Sequence, residues 1–104
     1  MADGWVRAAS LQDVPPGSLK GVEVEGERIA LANVDGDVYA LEDRCSHQDF
    51  PLSDGELEDG KLECIYHGAR FDVCDGRAIQ LPAIRPVKTW DVVVRDGDIF
   101  IQKG

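Results

Sequence analysis

The sequence predicts an all-β chain, an antiparallel β-sandwich of short strands, and three observations carry that prediction. Asp-Gly recurs as Asp3-Gly4, Asp35-Gly36, Asp54-Gly55, Asp59-Gly60, Asp75-Gly76 and Asp96-Gly97. Between alternating apolar runs it is the strongest short-range hairpin signal, because the tight turn needs positive φ. The flanking runs alternate with a period of two, as half-buried strands do, and helical periodicity of useful length is absent. The 104 residues make a single domain, 1–104, large enough to hold its own core.

The elements follow in order. The first ten residues include Asp3, Trp5 and Arg7 and no apolar run, so no signal peptide is expected. Ser10-Leu11-Gln12-Asp13 offers one helical turn, ended by Pro15-Pro16-Gly17. Ile29, Leu31 and Asn33 share one side of a strand, and Val38 and Ala40 continue that side after Asp35-Gly36. Leu57 and Leu62 to Cys64 bracket Asp59-Gly60, while Phe71 and Val73 precede Asp75-Gly76. Val92 and Val94 lead into Asp96-Gly97, with Ile99 and Ile101 after it. Apolar stretches are only a few residues long, as in Val92-Val93-Val94, far short of a membrane span. No membrane contact is therefore expected. A cytoplasmic location, where thiols stay reduced, is the default.

The formal charge of −9 excludes a generic nucleic-acid role, which needs clustered Lys and Arg. It favours a partner with a basic face. Between Glu42 and Glu63 stand Glu42, Asp43, Asp49, Asp54, Glu56, Glu58, Asp59 and Glu63, against only Arg44 and Lys61. Such a run is either a solubilising surface or a docking rim.

The chemistry lies in two half-sites. Cys45-Ser46-His47 is followed, after sixteen residues, by Cys64-Ile65-Tyr66-His67, which uses both histidines and two of the three cysteines. Each half-site follows a strand-like run, Val38 to Leu41 and Lys61 to Glu63, so neighbouring strands would deliver two loops, about 43–52 and 64–72, side by side. Two thiolates plus two imidazoles is the ligand set of a [2Fe–2S] centre in which His replaces Cys on one iron. Structural zinc could use the same residues, but such sites run C-x2–4-C then H-x3–5-H, which this alternating order fits poorly. A Cys45–Cys64 disulfide would waste the histidines and contradict a reducing compartment. Cys74 lies outside the pattern and reads as a small strand residue on the side of Arg70 and Asp72.

The pattern C-x-H-x16-C-x2-H resembles the Rieske family of iron–sulfur proteins. Its neighbours agree: Gly68 follows the second His, then Phe71-Asp72, Gly76, and Leu81-Pro82-Ala83 at the place of a cover loop, about 81–86. The resemblance runs from about Val38 to Pro86. It implies a β-sandwich base, one [2Fe–2S] cluster per chain, Cys45 and Cys64 on the buried iron, and His47 and His67 on the outer iron. Respiratory-chain members carry an extra Cys in each loop and tie the loops with a disulfide; here Phe50 and Tyr66 stand there. Their hydroxyl donors to the cluster are replaced by Ala69 and Phe71.

Histidine ligation makes the centre less negative than four thiolates would, which raises its potential into a range of about −150 to +300 mV. Without the hydroxyl donors, a value near the low end is expected. Both histidines are committed, so no 2-His-1-carboxylate triad remains, and no G-x-G-x-x-G follows a strand. Catalytic residues are accordingly not expected. The resemblance implies a soluble, monomeric electron carrier, similar to the ferredoxin component of multicomponent aromatic-ring dioxygenases. It would take single electrons from a flavin-containing reductase and pass them to a terminal oxygenase. Phe50-Pro51-Leu52 and Pro82 would form the dry part of the contact, with acidic residues at its rim. The other readings are a ferredoxin of another pathway (a nitrite reductase small subunit or an iron–sulfur-assembly protein) and, in a different class, a zinc-stabilised module.

Overall fold

The computed structural model describes residues 4–44, 51–64, 70–80 and 87–103. Among them lie the strands β1 (Trp5–Ser10), β2 (Leu19–Val24), β3 (Glu27–Val34), β4 (Asp37–Glu42), β5 (Glu56–Glu58), β6 (Lys61–Glu63), β7 (Arg70–Asp72), β8 (Ala78–Gln80), β9 (Thr89–Trp90), β10 (Val92–Arg95) and β11 (Asp98–Gln102). They pair antiparallel into three sheets, ordered β1-β11-β10, β2-β3-β4-β9 and β5-β6-β7-β8.

Tight turns set the register. Asp35-Gly36, Asp59-Gly60 and Asp96-Gly97 have positive φ at both residues and join β3–β4, β5–β6 and β10–β11, as expected of Asp-Gly. The turn between β2 and β3 uses the same geometry at Glu25-Gly26, which no Asp announces. Two of the expected hairpins take other forms. Asp54 closes a 3-10 turn, Leu52–Asp54, and Gly55 is extended, leading into β5. Gly55 is needed for close approach, since a Cβ there would strike the Glu63 carbonyl. Asp75-Gly76 belongs to a longer turn, closed by the Gly76 N–H donating to the Asp72 carbonyl at 2.7 Å. Asp3 lies outside the described residues. The single turn expected near Ser10 is a 3-10 turn at Leu11–Asp13.

The middle sheet serves two cores. One face of β3 and β4 carries Ile29, Leu31, Val38 and Ala40, which pack with Ala9 of β1, Val24 of β2 and Ile99 and Ile101 of β11. Ala32 and Leu41 point the other way and pack with Leu52, Leu62, Cys64 and Phe71. The expected sandwich is therefore the first two sheets, and the third sheet covers the middle sheet's far face. Ile29 to Asn33 are all buried, because β3 has no solvent face there. Asn33 is satisfied in that position: its Nδ2 donates to the Val14 carbonyl at 2.7 Å, and its Oδ1 accepts the Gly36 N–H at 2.8 Å. Val94 is 39% exposed on the edge strand β10.

Candidate metal centre

β6 alternates by its pleat: Leu62 is buried, Glu63 exposed and Cys64 buried again. Cys64 is fully buried, in the same cluster as Leu52, Leu62, Phe71, Val73 and Val87. A thiolate so enclosed suits a ligand to the inner iron of a two-iron cluster and offers nothing to solvent. The other predicted ligands, Cys45, His47 and His67, lie outside the described residues, as do Phe50, Tyr66, Gly68, Ala69 and the cover loop 81–86. Among the described residues, no three His, Cys, Asp or Glu side chains group so as to hold a metal.

The structure does show the stems of these segments. Glu63 pairs across the ladder with Arg70, and Arg70 with Gln80. The segments 65–69 and 81–86 therefore both begin at one end of the third sheet. Glu56 also pairs with Glu63, and the chain reaches it from Pro51 through the Leu52–Asp54 turn, so segment 45–50 leads to the same end. The return of 81–86 is secured by the Val87 N–H donating to the Gly76 carbonyl at 2.9 Å. Described stems of all three segments thus lie at the end of the third sheet where Cys64 is buried.

The outer face of the third sheet is charged. Register sets Glu58, Lys61 and Asp72 in one row and Glu56, Glu63 and Arg70 in the next, with Arg70 Nε 3.6 Å from Glu63 Oε1. Glu56, Glu58, Asp59 and Glu63 are exposed, as a rim requires, but Asp43, counted with them in the sequence, is 5% exposed and belongs to the interior. Leu52 also corrects an expectation. It cannot contribute to a docking contact, because the 3-10 turn drives it fully into the core. Pro51 beside it remains partly exposed.

Cys74 is not on a strand. It occupies the turn after β7, exposed, with its N–H donating to Asp72 Oδ1 at 2.9 Å. Tyr39 packs against the Cys64-containing core, and its phenol pKa is raised, first by burial and then by the negative charges of Cys74, Asp37 and Asp72. A cleft of about 620 Å³ lies at the far end of the β3–β4 hairpin, against Leu11, Pro15, Asn33 and Gly36. None of its lining residues belongs to the core that holds Cys64.

The model of the Rieske [2Fe-2S] domain matches residues 4–91. The chain is 39% identical, over 98% of its own length and 98% of the relative's, to the ferredoxin component of the naphthalene 1,2-dioxygenase/salicylate 5-hydroxylase systems of Ralstonia sp.. Among solved structures, the ferredoxin of carbazole 1,9a-dioxygenase from Nocardioides aromaticivorans IC177 superposes with a TM-score of 0.92 at 32% identity, covering 98% of this chain and 100% of that one. A chain of the complex of reduced oxygenase and oxidized ferredoxin in carbazole 1,9a-dioxygenase superposes with a TM-score of 0.89 at 30% identity, covering 99% of this chain and 98% of that one.

Proposed function

The chain belongs to the Rieske [2Fe–2S] domain family, and from that premise we propose that it is the one-domain ferredoxin component of an aromatic-ring dioxygenase system, an electron carrier and not an enzyme. The observation that supports this most is the likeness over nearly the whole length to ferredoxin components of such systems. In this reading Cys45, His47, Cys64 and His67 hold the cluster. The burial of Cys64 fits that role, and the donor set suits two irons of unequal surroundings. When bound, the cluster supplies reversible one-electron transfer.

The chain's own residues do the remaining work. Cys64, Leu52 and Phe71 keep water from the inner side, while the exposed carboxylates of Glu56, Glu58 and Glu63 present negative charge beside the ligand segments. That charge steers a basic docking face and makes association salt-dependent. The partners are a flavin-containing reductase on the donor side and a terminal oxygenase on the acceptor side. Among the described residues no helix is long and apolar enough to cross a membrane. The proposal takes the carrier as a monomer in the cytoplasm.

Two measurements test the reading. The purified holoprotein should be red-brown and give a rhombic EPR signal on reduction; a colourless, zinc-containing protein would overturn the cluster. Mixed with a flavin reductase and an aromatic-ring oxygenase, it should support substrate hydroxylation that stops when it is omitted. Coupling only to a nitrite reductase would overturn the dioxygenase role.

A further inference from the structure

Asp43 stands two residues before Cys45 and is 5% exposed. A carboxylate so placed persists only if its oxygens are hydrogen-bonded, and its bonds all serve one purpose. Oδ1 accepts the Ser53 N–H at 2.7 Å, and Oδ2 accepts the Ser53 hydroxyl at 2.7 Å. The Asp43 N–H in turn donates to the Arg28 carbonyl on β3 at 3.0 Å. The middle sheet thus holds Asp43, Asp43 holds Ser53, and the residues between them include Cys45 and His47. β2 crosses this pair at Gly21, where a Cβ would come within 2.6 Å of Ser53 Oγ and 2.7 Å of Asp43 Oδ2. The glycine leaves the space that the pair occupies.

We infer that Asp43, with Ser53 and beneath Gly21, is the positioning residue of the first ligand segment, clamping its two ends so that Cys45 and His47 are held for the cluster. The inference rests on the ligand reading proposed above. Its physical basis is preorganisation: a closed loop has less conformational freedom to lose when its ligands engage the metal, and less to regain when they let go.

The experiment compares holoproteins of the wild type, Asp43→Ala, Ser53→Ala, Gly21→Ala and the conservative Asp43→Asn. Asp98→Ala is the control; it breaks the Arg7–Asp98 pair on another sheet. Loss of the visible cluster absorption in EDTA, the EPR line shape after reduction, and global thermal unfolding are recorded for each. Asp43→Ala and Ser53→Ala should lose the cluster about tenfold faster, the usual scale for removing a residue that orients metal ligands, with broadened EPR lines. Asp43→Asn, which keeps an acceptor for the Ser53 N–H, should fall between them and the wild type. The double variant should lose no more than either single one, because both remove the same clamp. Gly21→Ala keeps both partners but wedges them apart, so it should behave like Ser53→Ala. Unchanged cluster lifetime and EPR in a clustered set of variants would overturn the clamp alone. So would a faster loss that Asp98→Ala reproduces at equal thermal stability. A wild type without the [2Fe–2S] spectrum would overturn the ligand reading, and this inference with it.

Discussion

The two cores on either side of the middle sheet are built differently. The core between the first two sheets is made by strands of four to eight residues, apart from the two-residue β9, with Ile29, Leu31, Ile99 and Ile101 fully buried. The core under the third sheet is made by strands of three residues each, and each of β5, β6 and β7 offers one inward apolar side chain: Leu57, Leu62 and Phe71. Strands this short bury too little to order themselves, so the third sheet leans on whatever else joins it. Cys64 is one of its fully buried members. The base is held by its own side chains, whereas the short strands beside the proposed ligand segments stand to gain most from a bound cluster.

The largest effect should come from taking that gain away. Removal of the cluster by acid and chelator, or by His67→Ala, should strip amide-exchange protection from β5 to β8 and leave β1, β3 and β11 protected, because metal binding and local folding are coupled. Uniform loss across all three sheets would end the contrast.

A pair of core truncations sharpens it. Phe71→Ala and Ile101→Ala each remove a fully buried side chain, at costs of about 3–5 and 2–5 kcal/mol. Only Phe71→Ala should also shorten cluster lifetime and perturb the EPR spectrum. Equal spectra in both variants would show that the two cores are one unit.

A smaller change at the ligand end should leave stability alone. Ala69→Ser puts a hydroxyl where the resemblance implies a donor to the cluster, and should raise the reduction potential by roughly 40 mV, the equivalent of one hydrogen bond of about 1 kcal/mol in a one-electron couple. An unchanged midpoint in voltammetry would remove the hydroxyl argument for a low potential.

The smallest effect belongs to the base. Glu27 accepts a hydrogen bond from Lys103 and pairs with Lys88 at 3.6 Å, and both lysines lie over the Trp90 ring, at 5.5 and 4.9 Å. Its pKa is lowered chiefly by the Lys103 hydrogen bond. A depressed carboxylate pKa contributes stability that is present above the unfolded value and is lost as pH falls through the folded one. Glu27→Gln should therefore flatten the acid limb of the thermal-unfolding profile just below the usual carboxylate range, without touching the cluster spectrum. The variant's deficit should be present at neutral pH and vanish as the pH falls through the folded pKa; a difference that appears only in acid would contradict this.

Much of the base was legible in the chain. Alternation puts Ile29, Leu31, Val38 and Ala40 on one side of the Asp35-Gly36 hairpin and sets Ile99 and Ile101 in step after Asp96-Gly97, and in the structure all six are buried. At the ligand end the Cys/His quartet was legible because its residue types are rare, yet the structure describes only Cys64 of the four. The second core was not legible. A period of two marks one buried face, and Ala30 and Ala32 are too small to announce another. Leu52 misled because an apolar residue beside a predicted site looks the same in sequence whether it faces a partner or the core. Asp43 misled because it stands among surface acids.

By itself, then, the sequence determined the class of fold and three of the tight turns, and it named the candidate ligands, since each depends on residue type at short range: positive φ at Asp-Gly, alternation along a strand, thiolate and imidazole at fixed spacing. Only the tertiary structure decided which residues share an interior. Asp43 becomes a clamp because Ser53 lies ten residues on and Gly21, on another strand, leaves room for both. Contacts of that kind depend on how strands are brought across one another, and no local pattern encodes them.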